Sequence, residues 1–112
     1  MRSPTIARNY AEALLELARR ADDLRGWGAL IDDIANGVQS DARLRVFLES
    51  PRVSAAKKSS VLEKAFKDAV PAPMLRFLQA LVRNRRQMLI PEIAQQYHDL
   101  VDQVEEIGRA HV

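Results

Sequence analysis

The chain has 112 residues, 47% of them hydrophobic and 29% charged, with a net charge of +2 and no cysteine. These values suit one globular domain over residues 1–112 and exclude a disordered chain, a disulfide framework and thiol chemistry. No apolar run approaches the roughly 20 residues of a membrane span, so any membrane association is expected to come through a partner.

The first helix is expected over Pro4 to Ala21, with Ser3 as its cap and Pro4 in its first turn. At about 100° per residue, Arg8, Asn9, Glu12, Glu16, Arg19 and Arg20 fall within an arc of roughly 120°. Ile6, Ala7, Tyr10, Ala11, Ala13, Leu14, Leu15, Leu17 and Ala18 fill about 200° of the remainder, well beyond the stripe that a surface helix needs to sit on one core. Such a helix must be covered from two sides. Met1-Arg2-Ser3 leads straight into it, so no secretory or transit segment is expected, and a reducing cytoplasm is the expected compartment.

After Asp22-Asp23, a second helix carries Leu24, Trp27, Leu30, Ile31, Ile34, Ala35 and Val38 at three- and four-residue spacing, with Gly26, Gly28 and Gly37 weakening its ends. Asp41 caps a short third helix with Leu44, Phe47 and Leu48, and Ser50-Pro51 stops it. Ser54 caps a fourth, whose apolar positions are Val61, Leu62, Ala65, Phe66 and Ala69. Pro71-Ala72-Pro73 breaks the chain, and Pro73 begins a fifth helix. There Met74, Leu75, Phe77, Leu78, Ala80, Leu81 and Val82 cover about 220°, repeating the excess of the first helix. Asn84-Arg85-Arg86-Gln87 ends it. Pro91 opens a sixth helix with Ile93, Tyr97, Leu100, Val101, Val104 and Ile107 in register, and Gly108 is its expected stop. The expected fold is an all-α, compact six-helix bundle.

The groups able to carry catalysis are few. His98 falls on the polar face of the sixth helix, where a solvated histidine is the plain account, and His111 is terminal. Neither has a Ser/Asp constellation or a second metal ligand at suitable spacing, and the glycines match no nucleotide fingerprint, so no catalytic residue, cofactor or metal is expected. Two basic clusters remain. Lys57, Lys58, Lys64 and Lys67 read as a solvated helix face, and Arg83, Arg85 and Arg86 as cations opposing the macrodipole at the end of the fifth helix. The alternative is an RNA-binding module using Arg83, Arg85, Arg86 and the Lys57–Lys67 face, although the small net charge favours no nucleic acid.

The string Ala7-Arg8-Asn9-Tyr10-Ala11-Glu12-Ala13-Leu14, followed by Leu17-Ala18 and Trp27, resembles the start of the delta subunit of bacterial F-type ATP synthases, the counterpart of the oligomycin-sensitivity-conferring protein. Phe47-Leu48-Glu49-Ser50-Pro51-Arg52-Val53 with Lys57, and Phe77-Leu78 to Leu81 with Asn84, Arg86, Leu89, Pro91, Glu92, Ile93, Tyr97 and Leu100, extend the resemblance over nearly the whole chain. Where that family often has an acidic residue, Asn and Gly leading into Arg, this chain has Arg83-Asn84-Arg85-Arg86.

The resemblance implies a non-catalytic, six-helix N-terminal domain of the peripheral stalk, at the cytoplasmic face of the cell membrane and not inserted in it. It implies a groove between the first and fifth helices that binds the N-terminal helix of an alpha subunit. It also implies a C-terminal region engaging the b subunit, which is expected to lie outside these 112 residues. The flanks of the two wide apolar arcs supply the expected walls: Ile6, Tyr10, Ala13 and Leu17 on the first helix, and Phe77, Ala80 and Asn84 on the fifth.

Overall fold

The computed structural model describes the backbone of residues 4–110 and the side-chain environments of residues 5–105. Ser3, expected as a cap, and His111 lie outside them, as does the side chain of Ile107. Among the described residues there are six α-helices, one short 3-10 turn and no strand. They are α1 (Pro4–Arg20), α2 (Leu24–Ser40), α3 (Ala42–Glu49), α4 (Ala55–Phe66), α5 (Ala72–Arg83) and α6 (Ile90–Ala110), with the 3-10 turn Gln87–Leu89 leading into α6.

Local chemistry sets most of these boundaries. The Asp23 carboxylate accepts from the Gly26 amide at 2.9 Å, Asp41 accepts from Arg43 and Leu44, and the Ser54 hydroxyl accepts from Lys57 at 3.1 Å, each satisfying first-turn donors that no helix can satisfy for itself. Two helices end in the same way. The amides of Asp22 and Asp23 donate to Arg19 and Ala18, and those of Arg85 and Arg86 donate to Val82 and Leu81, closing α1 and α5 with paired Schellman bonds. That geometry needs one left-handed residue, and the positions are filled by Asp22 (φ 53°) and Arg85 (φ 58°). The terminal carbonyls of α5 are thus met by backbone amides rather than by the arginine side chains. Gly108 does not stop α6, which runs on to Ala110. A glycine inside a helix costs only about 1 kcal/mol and forces no termination.

One apolar core joins all six helices. Ala7, Ala11, Leu14, Leu15 and Ala18 bury one face of α1, which lies chiefly along α6. Helix α6 packs on α2 as well, and α5 packs on α4. Gly28 permits the α2–α6 approach, because a Cβ there would meet the His98 ring at 3.0 Å and the Tyr97 ring at 3.3 Å. Tyr97 is fully buried, and its hydroxyl donates to the Leu24 carbonyl at 2.6 Å. Burial, followed by the nearby charge of Asp23, pushes its phenol up to about 12. Trp27 is buried in the core, as the spacing of α2 indicates.

Four side chains depart from the sequence expectation. His98 is not merely solvated: its Nε2 lies 2.9 Å from Asp32 Oδ2, bridging α6 to α2 while half-exposed. Lys58 is buried rather than part of a solvated lysine face, with only 7% of its surface exposed. It falls on the side of α4 that carries Leu62, one turn on, and that face is drawn under α5. Ala65 is exposed, and Ala69 lies beyond the end of α4 at Phe66.

Candidate functional site

Once α1 has buried the face bearing Ala7, Ala11, Leu14 and Ala18 against the bundle, its apolar surplus remains. Ile6, Tyr10 and Leu17 are half-buried and Ala13 is exposed, and the four lie within about 60° of one another on the helix surface. Asn9, Glu16 and Arg20, all exposed, border this stripe on its polar side. On α5 the corresponding stripe holds Phe77, Ala80 and Asn84, which are buried, half-buried and exposed in turn. Arg76 and Arg83 are exposed along its outer edge.

The stripes meet where the rings of Tyr10 and Phe77 pack edge to face, with centroids 6.3 Å apart and planes at 79°. Ile6, Tyr10, Ala13 and Leu17 therefore share one α1 flank, and Phe77 stands across from it. Asn84 is also the C-cap residue of α5, so its backbone amide is used by the Ala80 carbonyl while its side chain is at the surface. Pro73, half-buried and one helical turn before Phe77, extends the α5 stripe. Its four-residue spacing from Phe77 is the signal in the sequence that marks it.

Small residues beside aromatic ones give this surface the chemistry of a helix seat. Ala13 and Ala80 let a backbone approach closely, Tyr10 offers apolar area backed by the buried ring of Phe77, and the Tyr10 hydroxyl and Asn84 amide offer hydrogen bonds. The flanking charges differ in kind. The α1 border mixes Glu16 with Arg20, whereas the α5 border is cationic through Arg76 and Arg83. Trp27 lies away from these stripes, on α2, whose neighbours are chiefly α6 and α3.

The two basic clusters do not form one continuous cationic face. Arg83, Arg85 and Arg86 are exposed at the end of α5 and Lys57, Lys64 and Lys67 along α4, but Lys58 is withdrawn from that face. Among the described residues no group of three or more His, Cys, Asp or Glu side chains is placed to hold a metal ion.

Residues 6–112 match the family model described as the ATP synthase delta (OSCP) subunit. A Gemmatimonas aurantiaca protein named ATP synthase subunit delta is 57% identical over 108 residues, covering 96% of this chain and 58% of that protein. Proteins of the same name from Herminiimonas arsenicoxydans and Burkholderia pseudomallei are 38% and 40% identical, covering 96% and 86% of this chain and 60% and 54% of their own lengths. The chain thus spans a little over half the length of the curated relatives it matches.

Proposed function

Because the chain belongs to the ATP synthase delta (OSCP) subunit family, we propose that it is a non-catalytic part of the peripheral stalk whose α1–α5 surface receives the N-terminal helix of an alpha subunit. The observation that supports this reading is the apolar stripe of Ile6, Tyr10, Ala13 and Leu17, left uncovered after α1 has filled its place in the core and set beside Phe77 and Ala80. An amphipathic helix laid along it buries its own apolar face with little rearrangement, because both walls stand on packed helices and the ordering cost falls mainly on the peptide.

In this role the protein is an anchor. It holds the stationary stalk to the catalytic head against torque and passes no chemistry between them. Among the described residues no helix is long and apolar enough to cross a membrane, and on this proposal the membrane is reached through other subunits, with b engaged outside these 112 residues.

Calorimetric titration with a synthetic peptide of the cognate alpha N-terminus tests the reading. A dissociation constant between about 1 nM and 10 µM is expected, with a negative heat-capacity change, little dependence on salt, and loss of binding when the peptide's apolar face is made polar. No binding at about 100 µM peptide, together with tight RNA binding that weakens steeply with salt, overturns it.

A further inference from the structure

About 140° around α5 from Phe77, the side bearing Val82 faces a cavity of about 370 Å³. Glu49, Ser54, Ala55, Lys58, Arg85 and Gln87 contribute its polar lining. Lys58 is 7% exposed, yet among the described residues its ammonium has no hydrogen-bond or ion-pair partner. The ammonium is not among the fully buried polar atoms, so it reaches the solvent of the cavity as a cation open to an anion.

The cavity wall supplies further positive character. The Ser54 hydroxyl takes the Lys57 amide, leaving those of Ala55 and Ala56 as first-turn donors at the positive end of the α4 dipole. Arg85 brings a second cation from a left-handed backbone position that any side chain beyond glycine occupies at a cost. Glu49 is the opposing carboxylate. The Gln87 side chain is pinned by its Nε2–H bond to the Leu48 carbonyl at 2.6 Å, while its Oε1 is buried without a partner.

We propose that this cavity binds a phosphoryl group, whose terminal oxygens accept from Lys58, from Arg85 and from the α4 amides. Two cations and a helix N-terminus outweigh one carboxylate, which suits an oxyanion, and the hydroxyl of a monoanionic phosphate donates to the otherwise unpartnered Gln87 Oε1. The volume exceeds that of a bare phosphate ion, so the group is either free phosphate or the end of a small phosphomonoester. The site is separate from the partner-helix stripes and does not depend on them.

The test is an NMR titration of the ¹⁵N-labelled chain with inorganic phosphate and, separately, with glycerol 3-phosphate, each against sodium chloride at matched ionic strength. Saturable shifts are expected at the amides of Ala55 and Ala56 and at the Gln87 side-chain amide, and whichever probe binds tighter identifies the source. Lys58→Met should weaken binding at least about tenfold, while the neighbouring Lys57→Met should not. Should Lys58→Met fail to fold, Arg85→Gly, which relaxes the backbone, must weaken binding by itself. Shifts matched by chloride, none with either probe up to about 20 mM, or binding unchanged in the folded variants overturns the proposal.

Discussion

The rings of Tyr10 and Phe77 pack edge to face at a centroid separation of 6.3 Å, and this contact ties α1 to α5. Beneath it α1 is committed to α6 and α5 to α4, so the two helices adjoin along a narrow line, with Phe77 buried in the core and Ile6, Tyr10, Ala13, Leu17 and Ala80 still at least partly exposed. The apolar surplus of each therefore borders the same strip of surface.

Ala13 is exposed, so the seat can be blocked without touching the core. Ala13→Asp should abolish binding of the alpha peptide while lowering stability by less than about 1 kcal/mol, the difference in helix propensity. Parallel calorimetry and thermal melts check both halves. A variant that unfolds would place Ala13 in the core and remove the argument for a groove.

Leu14 and Leu81 are fully buried on the core-facing sides of the same helices. Truncating either to Ala should cost about 2–5 kcal/mol, from lost transfer energy and the cavity left behind. Denaturant unfolding followed by the emission of buried Trp27 reads this directly.

Asp22 and Arg85 stand at left-handed positions, φ 53° and 58°, that glycine occupies without the Cβ penalty. Asp22→Gly and Arg85→Gly should each stabilise the fold by about 0.5–1 kcal/mol, raising the melting temperature by a few degrees. A lowered melting point in both variants would show that their side chains hold the fold in a way that outweighs the backbone strain.

Tyr97 ties α6 to the start of α2, and its phenol is pushed up to about 12 from the usual 10.0. The folded state therefore holds the proton more tightly than the unfolded chain. Its contribution to stability is complete below pH 10 and is lost as the pH rises toward about 12. Tyr97→Phe should lower stability at pH 8 by about 1–2 kcal/mol, since the Leu24 carbonyl loses its partner, and should flatten the alkaline loss. Urea melts across the alkaline range, paired with ultraviolet titration of the phenols, measure both.

Much of the fold and of the proposed site is legible in the residues themselves. Asp23, Asp41 and Ser54 announce helix starts because their short side chains bond to first-turn amides, a purely local event. The three- and four-residue spacing identifies Leu14, Leu78 and Leu81 as core, and the width of the apolar arcs on α1 and α5 marks the two helices with flanks to spare. The stripe of Ile6, Tyr10, Ala13 and Leu17 follows from the same geometry. Periodicity measures an arc, however, and does not name what covers it. That α6, rather than α5, is the main cover of α1 depends on packing between residues far apart in the chain, as does the bond from Tyr97 to Leu24 across 73 positions. The same holds for the burial of Lys58 and Gln87 around one cavity and for the pairing of His98 with Asp32, since a polar residue reads as solvated until another helix is laid over it. The local backbone and each helix's apolar face were determined by neighbours in sequence, and the partners of those faces were decided only when the whole chain closed on its core.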